Sequence, residues 1–140
     1  MFLTLFSPIR GLDNGANHIH AALVLGSEQG IRVAYSNEAF ELWYLLHFNY
    51  YDTAMSRKDY SARLSELLGH PYHKNSDTMY EELEQRQSAA IRNARRLLSK
   101  YNPPSPVSDN PSMTVHLLVE ELNRFLASQR PLRDRHAGEG

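Results

Sequence analysis

Cysteine is missing from the 140 residues. Its absence excludes disulfides, thiolate metal sites and cysteine nucleophiles, and fits a reducing cytoplasm. Long apolar runs are missing too. The longest nearly uncharged stretch, Ala39 to Phe48, is about half of what a membrane-spanning helix needs. The opening MFLTLF has no basic segment before it, and Pro8 and Arg10 interrupt the chain soon after it, so it makes a poor signal peptide. Neither sign of charge dominates: 15 basic against 16 acidic residues give a formal charge of -1. A nucleic-acid surface would therefore need local clustering of lysine and arginine. The P-loop, the dinucleotide glycine pattern, the G-x-S-x-G elbow and any internal repeat are absent as well. These absences leave a soluble cytoplasmic protein with one main domain, with no membrane contact.

The residues present read as an α/β chain that is predominantly helical, with one or two short strands and five helices. Asn17 to Gln29 suits a helix capped by Asn17 and stopped near Gly30, although Gly26 is a poor helix former. Ile31 to Tyr35 (IRVAY) is β-branched and aromatic between turn residues, and predicts a strand. Asn37 can cap a helix from Glu38 to Phe48 that is apolar on nearly every side. Ser56 with Asp59 forms a capping box for a third helix, which ends at Gly69. Asp77 to Tyr101 predicts the longest helix, with Met79, Leu83, Ala90, Ala94, Leu97 and Tyr101 on one face and Arg86, Arg92, Arg95, Arg96 and Lys100 opposite or beside it. After NPPSPVSDNPS, Asn110 and Pro111 read as the cap and first residue of a final helix. Its stripe is Val115, Leu118, Val119, Leu122, Phe125 and Leu126, with Glu120 and Arg124 as an outward pair. The divisions are 1–16, an atypical or irregular start; 17–129, the main domain; and 130–140, a polar tail expected to be disordered.

The chemistry centres on SNEAFELWYLLHF, residues 36–48, where one carboxylate, Glu41, lies in an apolar run. Burying it unpaired is costly. It is either a carboxylate satisfied by backbone donors or a basic partner, or a metal ligand or general base. Asn37 lies four residues before it at the carboxyl end of a strand, where α/β sheets commonly meet ligands. The basic helix face is either solvated and balanced by Glu81, Glu82 and Glu84, or a track for phosphates. His18 and His20, and His70 and His73, make no metal motif. His47 and His116 lie inside apolar helices and read as core histidines held by a hydrogen bond.

Three stretches together resemble a known family. VAYSNEAFELWYLLHF (33–48) is similar to the V-A-x-S-N-P-x-F-E-x-W-x-L-L-H-F signature of RloB-like proteins, which are encoded in bacterial restriction and phage-defence loci. YHKNSDTMYEEL with AIRNARRLL resembles that family's lysine-containing loop and arginine-bearing helix, and NPSMTVHLLVEEL its closing segment. Glu38 stands where the family usually has proline, a change that both residues' suitability for a first helical turn would make mild.

The resemblance implies a TOPRIM-like fold, metal-dependent action on nucleic acid, and partnership with an ATPase in abortive infection. It places Glu41 and Asn37 at the edge of a catalytic site. Arg92, Arg95, Arg96, Lys100 and Lys74 would lie on nucleic acid, with Ser36, Trp43, His47 and His116 in support. Such sites hold Mg2+ through an E-G-x-T-E-like turn and a D-x-D turn. Neither is in this sequence, where Asp13 is the single early acid. The expectation is therefore the carboxyl-terminal part of the fold, a truncated form lacking the metal-binding acids, with Mg2+ belonging to a complete protein. Its uncovered strand and helix faces would favour poor solubility, a homo-oligomer or another partner chain. The alternative is a non-catalytic module that docks on the ATPase.

Overall fold

The computed structural model describes residues 2–6 and 14–130. Strand β1 (Phe2–Phe6) leads into helix α1 (Asn14–Glu28), which returns the chain to strand β2 (Arg32–Ser36). The two strands pair in parallel, from Phe2 opposite Arg32 to Phe6 opposite Ser36. Parallel neighbours need a crossover, and α1 supplies it. The start of the chain is thus more regular than its composition indicates. The strand expected at Ile31–Tyr35 is β2, and β1 is its parallel partner.

Gly26 decides how α1 meets β2. It is buried, and a Cβ there would lie 2.7 Å from Val33 Cγ2 and 2.8 Å from the Ile31 carbonyl oxygen. The residue that weakens the helix by propensity is the one that lets it lie against the strand.

Beyond β2 the chain turns sharply. The Ala39 N–H donates to the Asn37 carbonyl (3.1 Å) across Glu38, whose φ is +73°. An i to i+2 bond around a residue of positive φ is a γ-turn, a rare and strained conformation for a side chain with a Cβ. The Ser36 hydroxyl donates to the Ala39 carbonyl at 2.7 Å and locks the turn from inside. Helix α2 therefore runs only over Glu41–Leu46, with Phe40 at its N-cap and no side-chain cap bond. Asn37 does not cap it. Its amide instead donates to the carbonyls of Asp109 (2.8 Å) and Pro106 (3.3 Å). The supposed equivalence of proline and glutamate at position 38 also fails, because a proline ring excludes positive φ.

Helix α3 (Arg57–Leu68) follows the local signals closely. Ser56 Oγ accepts from the Asp59 N–H, Asp59 accepts from the Ser56 N–H, and Gly69 closes the helix at φ 78°. The long helix expected over Asp77–Tyr101 is instead two. α4 (Met79–Leu83) lays Met79 and Leu83 beside Trp43, Tyr44 and His47. After a 3-10 turn at Glu84–Arg86, α5 (Gln87–Ser99) puts Ala90, Ala94 and Leu97 into the core with Leu42, Leu45, Leu46, Tyr60 and Leu64. The two helices bury different surfaces, and the turn between them redirects the chain.

Pro111 does not begin the last helix. Ser112–Thr114 run along β2: the Asn37 N–H donates to the Ser112 carbonyl and the Thr114 N–H to the Tyr35 carbonyl, both at 2.8 Å. Tyr35 also donates its own N–H to Thr114 Oγ1 at 3.1 Å. Since Tyr35 spends both backbone groups here, this segment occupies the edge of β2 away from β1. Pairing with a strand edge overrides the helix-start signal, and α6 begins at Val115 and ends at Ser128. Its stripe is buried only at the start. Val115 is buried, Leu118 and Val119 are half-buried, whereas Leu122, Phe125 and Leu126 are 52%, 61% and 62% exposed. Glu120 and Arg124 do not pair with each other, since Arg95 takes Glu120 and Arg124 takes Glu121. The faces of β2 and α2 that were expected to be bare are covered. Among the described residues, exposed apolar side chains lie instead at the end of α6, at Val24 and Leu25 of α1, and at Tyr80 and Val107. The region 131–140, which carries most of the tail expected to be disordered, lies outside the described residues.

Gly26→Ala separates propensity from packing. Helix propensity alone would stabilise the variant by about 0.5–1 kcal/mol, whereas the close approach to Val33 and Ile31 is expected to make it less stable, by roughly 1–3 kcal/mol as for other overpacked sites. Thermal and urea unfolding of the pair gives the sign. At position 38, glycine is expected to be neutral or stabilising by up to about 1–2 kcal/mol because the left-handed cost disappears, and proline to be clearly destabilising. If Glu38→Pro is as stable as the parent, the γ-turn is not the solution conformation.

Candidate functional site

The γ-turn aims Glu41 into a cleft of about 250 Å³ lined by Glu38, Ala39, Phe40, Glu41, Tyr44, Arg57, Tyr72 and Lys74. The carboxylate is half-buried, so it reaches an edge rather than lying in the core. Its Oε1 accepts a hydrogen bond from the Tyr72 hydroxyl at 3.1 Å, and its second oxygen has no partner among the described residues. Tyr72 comes from the loop after α3, where its N–H donates to Ser65 Oγ at 2.9 Å. Burial and the neighbouring Glu41 charge push the Tyr72 phenol well above its usual range. The phenol therefore stays protonated and remains a donor to the carboxylate at neutral pH. The rings of Phe40 and Tyr44 meet edge to face at 5.1 Å between centroids, and Tyr44 and Tyr72 at 6.2 Å. Arg57 Nε donates to the Glu38 carbonyl at 3.1 Å, tying α3 to the γ-turn. Lys74 is exposed on the rim.

Of the sequence-derived site residues, the fold gathers Glu41 and Lys74 around one opening. Asn37 does not line it, and its amide binds carbonyls of the proline-rich connection. Ser36 is fully buried under the turn. The basic residues of α5 lie elsewhere, near the carboxyl end of α2 and against α6. Arg95 makes a two-pronged contact with Glu120, at 2.8 and 3.2 Å. Arg96 stacks its guanidinium 3.9 Å from the Tyr50 ring centroid, and Lys100 donates to the Asp52 carbonyl. Arg92 alone of these four is exposed without a polar or aromatic partner among the described residues.

Sequence reasoning misses three members of the cleft and its frame. Tyr72 reads as plain loop, although a tyrosine before His73 and Lys74 is visible. Arg57 reads only as part of the helix start. Asn93, whose amide donates to the Leu46 carbonyl at 2.8 Å and fastens α5 to α2, carries no local signal.

Trp43, His47 and His116 are buried. His47 Nδ1 lies 2.8 Å from the Trp43 carbonyl oxygen, and its ring stands edge to face with Trp43 at 4.8 Å. His116 differs from the expected hydrogen-bonded core histidine, because its Nδ1 has no partner among the described residues. Burial lowers the pKa of both from 6.5, with Arg86 adding to the effect at His47; at His116, Glu120 opposes and Arg95 reinforces it. A depressed histidine is neutral in the fold, while the unfolded chain takes up the proton near pH 6.5. Stability is therefore complete above that pH and is lost as pH falls below it. The exposed His70–Glu82 contact, at 2.7 Å, raises the His70 pKa and works in the opposite sense. In a His70→Gln background, urea unfolding from pH 7.5 to 5 is expected to show falling stability, and His116→Leu to flatten that fall. A flat profile before the His116 change would contradict the burial.

The model of the RloB-like protein family matches residues 11–122. No curated protein matches the chain, and no solved structure does. The matched span runs from before α1 into α6, includes every residue lining the cleft and takes in the basic face of α5. The chain belongs to the RloB-like protein family.

Proposed function

We propose that this RloB-like chain acts on nucleic acid in bacterial phage defence and meets its ligand in the cleft at the start of α2. The observation that carries the reading is Glu41, a half-buried carboxylate held by the Tyr72 hydroxyl at a point where aromatic rings and Lys74 also converge. Aromatic faces accept unstacked bases of any sequence, and a rim lysine can sit on a phosphate. The exposed Arg92, with Arg95, Arg96 and Lys100, offers a second basic surface, apart from the cleft.

Metal-assisted cleavage asks for more. Magnesium sites are built from converging carboxylates and substrate phosphates, and two-metal chemistry needs several such acids. The cleft offers Glu38 and Glu41, and no group of three or more metal-ligating side chains exists among the described residues. Asp13 lies outside them. The donor set of the cleft does not fit a two-metal centre, and we assign these residues to binding and orientation of the nucleic acid.

Anisotropy titrations of labelled single strands between 50 and 200 mM salt test the reading. Lys74→Ala is expected to reduce the salt slope by roughly 0.7, and Arg92→Ala with Arg96→Ala by about twice that, one counterion per phosphate contact. In cells, Glu41→Gln is expected to abolish protection against phage while the purified variant keeps its unfolding midpoint. Unchanged slopes in both basic variants, or full protection by Glu41→Gln, would overturn the proposal.

A further inference from the structure

We infer that the cleft holds one unstacked guanine base, with its Watson–Crick edge on the Glu41 carboxylate. The inference rests on the nucleic-acid reading of the cleft and narrows it to a base.

Size comes first. Pockets for drug-sized ligands run to roughly 300–1,000 Å³. At about 250 Å³ this cleft suits a single ring system better than a dinucleotide. Its walls include three aromatic side chains, Phe40, Tyr44 and Tyr72, none fully buried, whose rings pack edge to face on one another. Bases taken out of a stack are held by such rings and read along their Watson–Crick edge.

The carboxylate supplies the reading. An ionised carboxylate only accepts hydrogen bonds, and its two oxygens offer about four acceptor positions. Tyr72 occupies one of them on Oε1. One acceptor position on Oε1 and those of the second oxygen have no partner among the described residues, and the side chain that carries them lines the cleft. Guanine presents two adjacent donors on its Watson–Crick edge, the N1–H and the exocyclic amine, and can satisfy both oxygens at once. Adenine and cytosine place a ring-nitrogen acceptor beside their amine, and uracil flanks its single N–H with carbonyls. Each would set an acceptor against a carboxylate oxygen. Lys74, on the rim, is placed for the attached phosphate.

The hydroxyl of Tyr72 has a further consequence. Because it donates to Oε1, it restricts how the carboxylate can turn before any ligand arrives, and a preorganised acceptor loses less entropy on binding. A floppy glutamate on a loop would discriminate less well.

The test uses the full chain with GMP, AMP, CMP, UMP and IMP, by calorimetry. IMP keeps the N1–H but lacks the exocyclic amine. GMP is expected to bind at least about tenfold more tightly than the other bases and about tenfold more tightly than IMP, within the range of one bidentate base contact. Glu41→Gln is expected to erase the preference. Equal binding of the five nucleotides, no GMP binding at millimolar concentration together with no preference for a guanine-containing strand, or a preference that survives in Glu41→Gln would overturn it. If Glu41→Gln fails to fold, the GMP-to-IMP ratio on the parent chain still decides. A matched pair of single strands, oligo-dT with and without one central guanine, separates a free nucleotide from a base in a strand. Preference for the guanine-containing strand places the base in nucleic acid, and preference for GMP alone places it in a free nucleotide. Salt-dependent binding to both strands without preference would sink the guanine inference and leave the nucleic-acid function standing, whereas no binding to either strand would remove that function too.

Discussion

Residues 112–114 reach back across more than seventy positions to pair with the far edge of β2, and the placement of the cleft depends on that pairing. A two-stranded sheet is marginal by itself. The added segment gives β2 a neighbour on each side and satisfies the backbone groups of Tyr35, which would otherwise be buried without partners. It also seats Asp109 and Pro106 where the Asn37 amide can hold their carbonyls. With Asn37 fixed, the chain has one residue in which to turn before Ala39 enters the core, and Glu38 absorbs the turn at positive φ. The strain is local, and the contacts that over-determine it come from the other end of the sequence.

That geography explains which features are legible in the sequence. The capping box at Ser56–Asp59 and the stop at Gly69 are interactions within a few residues, and local reasoning places both correctly. The inward face of α5 follows from its period. The start of α2 and the start of α6 are misplaced for the same reason: Asn37 and Asn110 are good local caps, but long-range hydrogen bonds claim Asn37 and hold the residues after Pro111 extended. Local propensity loses to tertiary contact where a strand edge needs a partner. Gly26 shows the converse. A residue that looks like a flaw in a helix is the contact that sets the helix against the strand.

The candidate site is legible in part. Glu41 stands out because a carboxylate in an apolar run needs a reason, and the fold supplies one in the Tyr72 hydroxyl rather than in the basic helix. Tyr72 cannot be read from the sequence, since only the third dimension brings the loop after α3 over α2. The basic face of α5 is visible by its period, but the acids that balance it are not the ones nearest in sequence. Glu120 of α6 and Asp52 after α2 take up Arg95 and Lys100, not the glutamates of α4.

This division of charge bears on how the molecule can discriminate. Arg95 is exposed while its partner Glu120 is half-buried, and salt weakens an ion pair at such a surface. If the face of α5 meets nucleic acid as proposed, a phosphate would have to compete with Glu120 for Arg95. The cleft works on a different principle. Its carboxylate would repel phosphate and favour donors, so a strand bound as proposed would meet two environments, backbone along α5 and base against Glu41. On that reading, affinity without sequence preference would arise at the first, and selectivity at the second. Because the two lie at different ends of α2, changing one should leave the other intact.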